Sequence, residues 1–463
     1  MFSITCQNYR GLKMETNWIL FYVTTICLII NPITADIINK NVERNLDIAS
    51  QLVKTSYKIQ VEETAGKPLK EYEFIVREPN LSFISVKDGF NKKLAFEEKK
   101  ENEKSQVKYK ITFASSAPQQ TLLIETVSTK NILPYPSEIK QNDKQLVKYV
   151  GGLYLYSNYL TQSQRINIQL SSSNIIAHTQ FRPFSVMSNK MTFGPYENIA
   201  KLTDDELFVH YENQSPFLTV NTLERTIEVS HWGNIAVKEE IQMTHTGAKL
   251  KGSFSRYDFQ KDGRSGQSAV KSYKTYLPAS ATGVYYRDTN GNISTSNMNL
   301  MRESVDLDLR PRFPLFGGWK TQYVLGYNVP SYEYLYSSDN DYILKMHLID
   351  HIHDNMCIDE AVITIILPEG SSNIKLETPY GIKRHQNALI HTYLDTVGRP
   401  VVSFSQRNLV ENHIAEFTLK YNFSKVSLLQ EPLLVIAFIY IIFLLTIVFL
   451  RLDFSITSHF HKE

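Results

Sequence analysis

The chain has 463 residues, with 49 basic and 47 acidic side chains. This near balance excludes a nucleic-acid binder or a protein held to a membrane surface by a polybasic patch. Tyr (27) and Phe (24) are abundant, which favours strands over helices.

Arg10 and Lys13 precede an apolar stretch, Trp18 to Ile30, and Pro32-Ile33-Thr34-Ala35 follows. A basic region, a short apolar region and a small terminal residue read as a signal peptide, residues 1–35, cleaved after Ala35. The alternative is an uncleaved signal anchor, and Met14 is an alternative start. Cys6 and Cys27 lie in the removed segment, which leaves Cys357 alone and the body without an intrachain disulfide.

Along the body, apolar residues alternate with polar ones. Val107, Tyr109, Ile111 and Phe113 do so, as do Ile166, Ile168 and Leu170, then Val305, Leu307 and Leu309, then Phe417, Leu419, Tyr421 and Phe423. A two-residue period predicts half-buried strands of antiparallel sheets. Val362 to Leu367 is continuously apolar and predicts a central strand. One helix is predicted over Ser137 to Tyr149, from Ile139, Leu146 and Val147 on one face. The charge run at 92–104 predicts a solvated loop or hairpin tip.

The body reads as two copies of one unit. ERNLDIAS at 43–50 resembles ERTIEVSH at 224–231, and YKIQV at 57–61 resembles EEIQM at 239–243. FGPYENI at 193–199 resembles ETPYGIK at 377–383, and HYENQSPFLTV at 210–220 resembles TYLDTVGRPVVSF at 392–404. The order is the same and the offset nearly constant, as an internal repeat requires. The expected fold is mainly β: two tandem β-rich lumenal domains, 36–222 and 223–425, plus one C-terminal transmembrane helix. No Gly/Ser or Pro-rich linker separates the domains, so they abut.

Asn80, Asn213, Asn292 and Asn422 open sequons for N-glycosylation. Asn292 and Asn80 are the leading candidates; Pro216 follows the sequon at Asn213, and Asn422 lies close to the membrane. His351 and His353, in Asp350-His351-Ile352-His353-Asp354, would share one face of a strand as a metal site requires. The competing reading is a polar turn, and no third ligand stands at motif spacing. Phe316-Gly317-Gly318-Trp319 lacks the Lys-Ser/Thr of a phosphate loop and reads as a tight turn that packs Trp319. Leu367-Pro368-Glu369-Gly370 reads as a strand end and a turn. No catalytic, cofactor or metal residue is assigned, and no cofactor is expected.

Leu433 to Leu450 holds no charge, Pro or Gly. At about 1.5 Å per residue it reaches roughly 27 Å as a helix, close to the core of the reticulum membrane at about 27 Å. The span is 433–450 and the cytosolic tail 451–463. A cleaved signal and one C-terminal span make a single-pass type I protein.

Longer strings carry a family resemblance. ERTIEVSHWGNIAVKEEIQMTHTGAKLKGSFSRYDFQ at 224–260, YYRDTNGNIST at 285–295 and PRFPLFGGWKTQYVLGYNVP at 311–330 resemble ribophorin I. So do HTYLDTVGRPVV at 391–402, EPLLV at 431–435 and RLDFSI at 451–456. The resemblance implies a non-catalytic accessory subunit of the oligosaccharyltransferase complex of the endoplasmic reticulum. Catalysis and its metal then belong to another subunit. The implied role is stabilising the complex and presenting nascent chains for N-glycosylation at Asn-x-Ser/Thr. Implied partners are the other subunits including the catalytic one, nascent polypeptides, the reticulum membrane and the translocon, with no nucleic acid. The short tail departs from animal members, so contacts made through a large cytosolic domain do not carry over. Inside such a complex the span docks on neighbouring helices by packing, with Ala437, Tyr440 and Leu444 as the expected face. The alternative function is a cargo receptor or membrane chaperone of the reticulum lumen with tandem β-domains.

Overall fold

A computed structural model describes residues 37–64, 66–100, 106–113, 117–261, 268–392 and 394–452. The expected signal peptide, the end of the tail and the tip of the 92–104 charge run lie outside the described residues.

Strands dominate, and they form on alternating burial. In Val53–Glu63 every second residue is buried, and Glu416–Asn422 buries Phe417, Leu419 and Tyr421 in the same way. The alternating segments fall on Val107–Thr112, Leu160–Gln169, Ser304–Leu309 and Glu416–Asn422, as their period predicts, with Phe113, Leu170 and Phe423 one residue past the strand ends. Val362 to Leu367 falls on Cys357–Ile366, in the interior of a nine-stranded sheet.

The sheet order repeats. In the first half, one sheet runs Phe184–Met187, Lys190–Ile199, Leu160–Gln169, Ile37–Asp47, Val53–Glu63, Gln119–Ser128, Leu81–Asp88. The nine-stranded sheet of the second half has the same core order. It runs Arg399–Val410, Cys357–Ile366, Leu218–Val229, Asn234–His245, Lys320–Pro330, Thr282–Asp288, with short strands at either edge. In both, the first strand pairs antiparallel with the next in sequence and parallel with a later one. Even an irregularity repeats: the register breaks between Asn39 and Asn41 in the first strand, and between Val220 and Thr222 in its counterpart.

Each large sheet packs on two smaller ones. Leu46, Ile166 and Phe193 meet Val147, Tyr149 and Tyr211 in one core of the first half. Val42, Ile59 and Ile124 meet Tyr72, Phe74 and Ile111 in another. The second half joins its corresponding layers into a single core that includes Leu223, Ile241, Tyr273, Leu307, Leu344 and Leu419.

The halves are in direct contact. Gln51 donates to the carbonyls of Leu218 and Asn355 at 2.7 and 2.8 Å. Thr129 donates to Asn408 Oδ1 at 2.7 Å, and Ser82 to the Asn408 carbonyl at 2.6 Å. Leu52, Val127, Cys357 and Val410 close an apolar cluster at this seam.

Three expectations are corrected. Ser137 to Tyr149 is not a helix: Glu138–Ile139 is a short strand, a turn follows, and Leu146–Gly152 is a strand pairing with Glu206–Glu212. Val147 and Tyr149 alternate into the core, and that tertiary burial overrides the local helical spacing. The first two repeat pairings match equivalent strands, but the last two do not. The counterpart of Lys190–Ile199 is Arg399–Val410, and that of Glu206–Glu212 is Glu416–Asn422. The second half spends more residues between Asn234–His245 and Lys320–Pro330 than the first does between Val53–Glu63 and Gln119–Ser128, so a constant offset drifts out of register. His351 and His353 do not share a strand face: Asp341–His347 ends before them, and only a single bridge ties His351 to Tyr276.

The last helix, Gln430–Arg451, contains the expected span 433–450 and buries none of its residues against the body. Among the described residues it is the one helix long and apolar enough to cross a membrane.

Candidate functional site

One cluster of titratable groups is sealed in the second half. Arg225 sits on the core face of its strand, opposite Glu239 in register. It forms an ion pair with Glu239, another with Asp350 at 2.7 Å, and donates to the Tyr327 hydroxyl at 3.3 Å. Arg225 and Glu239 are each about 1% exposed. Burial pushes the Glu239 carboxyl up, and the Arg225 guanidinium opposes it. Perturbed carboxylates of this kind mark active sites only when substrate can reach them. Arg225, Glu239 and Asp350 are all buried, and the geometry is that of a core ion pair.

The histidine pair separates. His351 packs against Tyr276 with the rings tilted by 44° and lies 3.3 Å from Asp354 and 3.4 Å from Glu411. His353 is fully enclosed, burial lowers its pKa to about 4, and its Nδ1 meets the Asp354 carbonyl at 3.0 Å. Glu411 also accepts from the Asn355 amide at 2.7 Å, while Lys54 of the first half donates to Asn355 Oδ1 at 2.6 Å. The cluster thus reads as a polar lock at the seam between the halves.

Cys357 is buried at that seam, and burial pushes its thiol up to about 12. A thiol so far from ionisation is a poor nucleophile. Gly318 takes φ +84°, and the turn it makes sets Trp319 among Phe254, Phe313 and Phe316 as the sequence predicts.

A groove of about 900 Å³ crosses the open face of the seven-stranded sheet. Its floor is a hydrogen-bonded ladder: Asn45 to Ser56 at 3.5 Å, Asn167 to Asn45 at 2.8 Å and Thr192 to Asn167 at 3.4 Å. Glu411 and Asn412 of the second half form one wall.

The junction between the body and the C-terminal helix is the feature the sequence reading missed. Glu369, placed by the turn after Cys357–Ile366, accepts from the Thr396 and Gly398 amides at 2.8 and 3.1 Å and from the Val397 amide. Burial alone would raise its pKa, but these donors and the Thr396 hydroxyl hold the carboxyl below its ordinary range. Its second oxygen accepts from Gln430 in the first turn of the C-terminal helix at 3.1 Å. Arg399 adds ion pairs to Glu228 at 2.8 Å and to Glu431 at 3.3 Å. The helix is therefore held to two segments of the body, the turn at Glu369 and the start of the strand at Arg399, and through Arg399 it is linked to Glu228. Ala437, Tyr440 and Leu444 all lie exposed on it.

The sequons fall in different environments. Asn80 and Asn292 are exposed, and Asn422 is half-buried beside Asp341. Asn213 is 0% exposed, and its Oδ1 accepts from the Ser215 amide and hydroxyl at 2.9 and 2.7 Å.

The profile of the ribophorin I family matches residues 37–450. The chain belongs to the ribophorin I family. This member is 41% identical over 432 residues to dolichyl-diphosphooligosaccharide–protein glycosyltransferase subunit 1 of Caenorhabditis elegans, covering 91% of this chain and 74% of that one. It is 32% identical to subunit 1A of Arabidopsis thaliana over 95% of this chain and 74% of that one. Against Arabidopsis subunit 1B the identity is 31%, over 90% and 93%. Among solved structures, yeast LTA4 hydrolase aligns at a TM-score of 0.26 and 13% identity over 41% of this chain and 31% of that one, too slight a likeness to carry an argument.

Proposed function

We propose that this ribophorin I family member is a non-catalytic subunit of the oligosaccharyltransferase complex in the membrane of the endoplasmic reticulum. The observation that carries the reading is the match across 37–450, together with relatives at 31–41% identity that are all named as subunit 1 of that transferase. The sealing of the Arg225 cluster and the high pKa of Cys357 support a role outside the chemical step.

In this reading the chain is type I, its two β-rich units (first and second sheet sets) are lumenal, and the helix Gln430–Arg451 anchors and docks it. It stabilises the complex and presents nascent polypeptide to the catalytic subunit. The polar groove over Asn45, Ser56, Asn167 and Thr192 suits a chain segment that offers backbone amides. Contact with the translocon through the body or the helix belongs to the same proposal.

Depletion of the chain tests it. The expected result is underglycosylation of many unrelated glycoproteins while membrane insertion continues. Full glycosylation after complete depletion would reject the assignment.

A further inference from the structure

Four apolar side chains from four separate segments stand exposed at the end of the nine-stranded sheet where the C-terminal helix leaves it. Trp232, in the turn between Leu218–Val229 and Asn234–His245, is 67% exposed, and Tyr332, beside that turn, is 78% exposed. Val397, in the loop gripped by Glu369, is 68% exposed, and Val426, just before the helix, is 74% exposed. Leu394 and Leu429 are also exposed in the last two segments.

Their common location follows from contacts. Trp232, Glu369, Arg399, Ser427 and Glu431 line one cavity of about 180 Å³. The Ser331 amide donates to the Gly233 carbonyl at 3.1 Å, which keeps Tyr332 next to the Trp232 turn. Gln430 donates to Thr396 at 2.5 Å, beside Val397. Behind the apolar rim Arg399 bridges Glu228, Asp395 and Glu431, which ties the acidic side chains to one another and to the first turn of the helix.

A helix that protrudes from the body and is long enough to span enters the bilayer at its first turn. That turn is fixed to the rim, so the rim meets the membrane at the same depth. Trp and Tyr favour the headgroup level, where a ring has one apolar and one wet side. The geometry points to a lipid-binding collar: the turn at Trp232, Tyr332, and the loops at Val397 and Val426 insert into the headgroup boundary of the bilayer that the helix crosses. The collar sets the tilt and height of the body above the membrane. The proposal rests on the helix being a span and is independent of assignment to any complex.

The test uses the full chain in phosphatidylcholine vesicles, compared with the Trp232→Phe variant so that the difference emission reports Trp232. Phosphatidylcholine brominated near the headgroup end of its chains should quench that difference at least about twofold. Lipid brominated near the chain ends should quench it less, and aqueous acrylamide should barely reach it. Difference emission open to acrylamide and unaffected by either bromolipid would overturn the proposal. Stronger quenching by the deep bromines would also overturn it. So would acrylamide protection that appears only when the native complex is assembled, which would assign the rim to another protein.

Discussion

Arg44 and Arg225 occupy the same position of the repeated first strand, and both guanidinium groups are buried. Their surroundings differ. Arg44 reaches the Gly152 carbonyl at 2.5 Å and Glu78 at 3.0 Å, and Glu78 also accepts from Ser128 at 2.9 Å. Arg225 is the sole cation between two enclosed carboxylates among the described residues. Removing one partner of a buried pair is costlier than replacing the whole group. Arg225→Met should therefore cost about 3–5 kcal/mol, and Arg44→Met about 1–3 kcal/mol. Urea unfolding of the full chain measures both, and equal costs would refute the contrast.

Stability should fall in acid. His245 is enclosed, donates through Nε2 to the Ser268 carbonyl at 2.9 Å and accepts the Gly247 amide at 3.1 Å, so both ring nitrogens are satisfied in the neutral form. Burial lowers its pKa to about 4, as it does for His353. The unfolded chain binds these protons from about pH 6.5 downward, whereas the folded chain does not until about pH 4. Stability from both groups is complete above about pH 6.5 and is lost as pH falls toward 4, by roughly 3 kcal/mol for each group. His245→Gln should flatten part of that slope, read as urea midpoints at pH 7 and pH 5. An unchanged slope would refute it.

The junction at Glu369 should be a mechanical coupling. Glu369→Ala strands the amides of Thr396, Val397 and Gly398 and removes one of the two acceptors of Gln430, leaving Thr396. Local opening of the 391–398 loop should become easier by about 1–3 kcal/mol, with little change in global unfolding. Limited proteolysis of that loop reports it, and an unchanged cleavage rate would contradict the coupling.

Glycan occupancy should follow exposure in the folded chain. Asn80→Gln and Asn292→Gln should each remove one endoglycosidase-sensitive mass step. Asn213→Gln should remove none, because a glycan on Asn213 would have to occupy packed core. A glycan found on Asn213 by mass spectrometry would show that this region folds differently.

The strands were legible because their burial alternates along the sequence, as at Phe417, Leu419 and Tyr421. The repeat was legible where no insertion intervenes, from the pair at Arg44 and Arg225, and was lost once the second half lengthened. The segment Ser137 to Tyr149 misled because helical spacing and a turn between two strands place the same few apolar residues. The Arg225 cluster was hidden for another reason: an arginine in a strand reads as surface, and only a fold that brings Glu239, Tyr327 and Asp350 around it gives it a place inside. The collar was hidden because Trp232, Tyr332, Val397 and Val426 are isolated in sequence and meet only at one end of the sheet.

The central claim is membership in the transferase complex, and native co-purification tests it most directly. The tagged chain, solubilised in a mild detergent and identified with its companions by quantitative mass spectrometry, should bring down the catalytic subunit in about equimolar amount. Recovery of the chain alone, while an intact and active complex remains in the unbound fraction, would contradict the account.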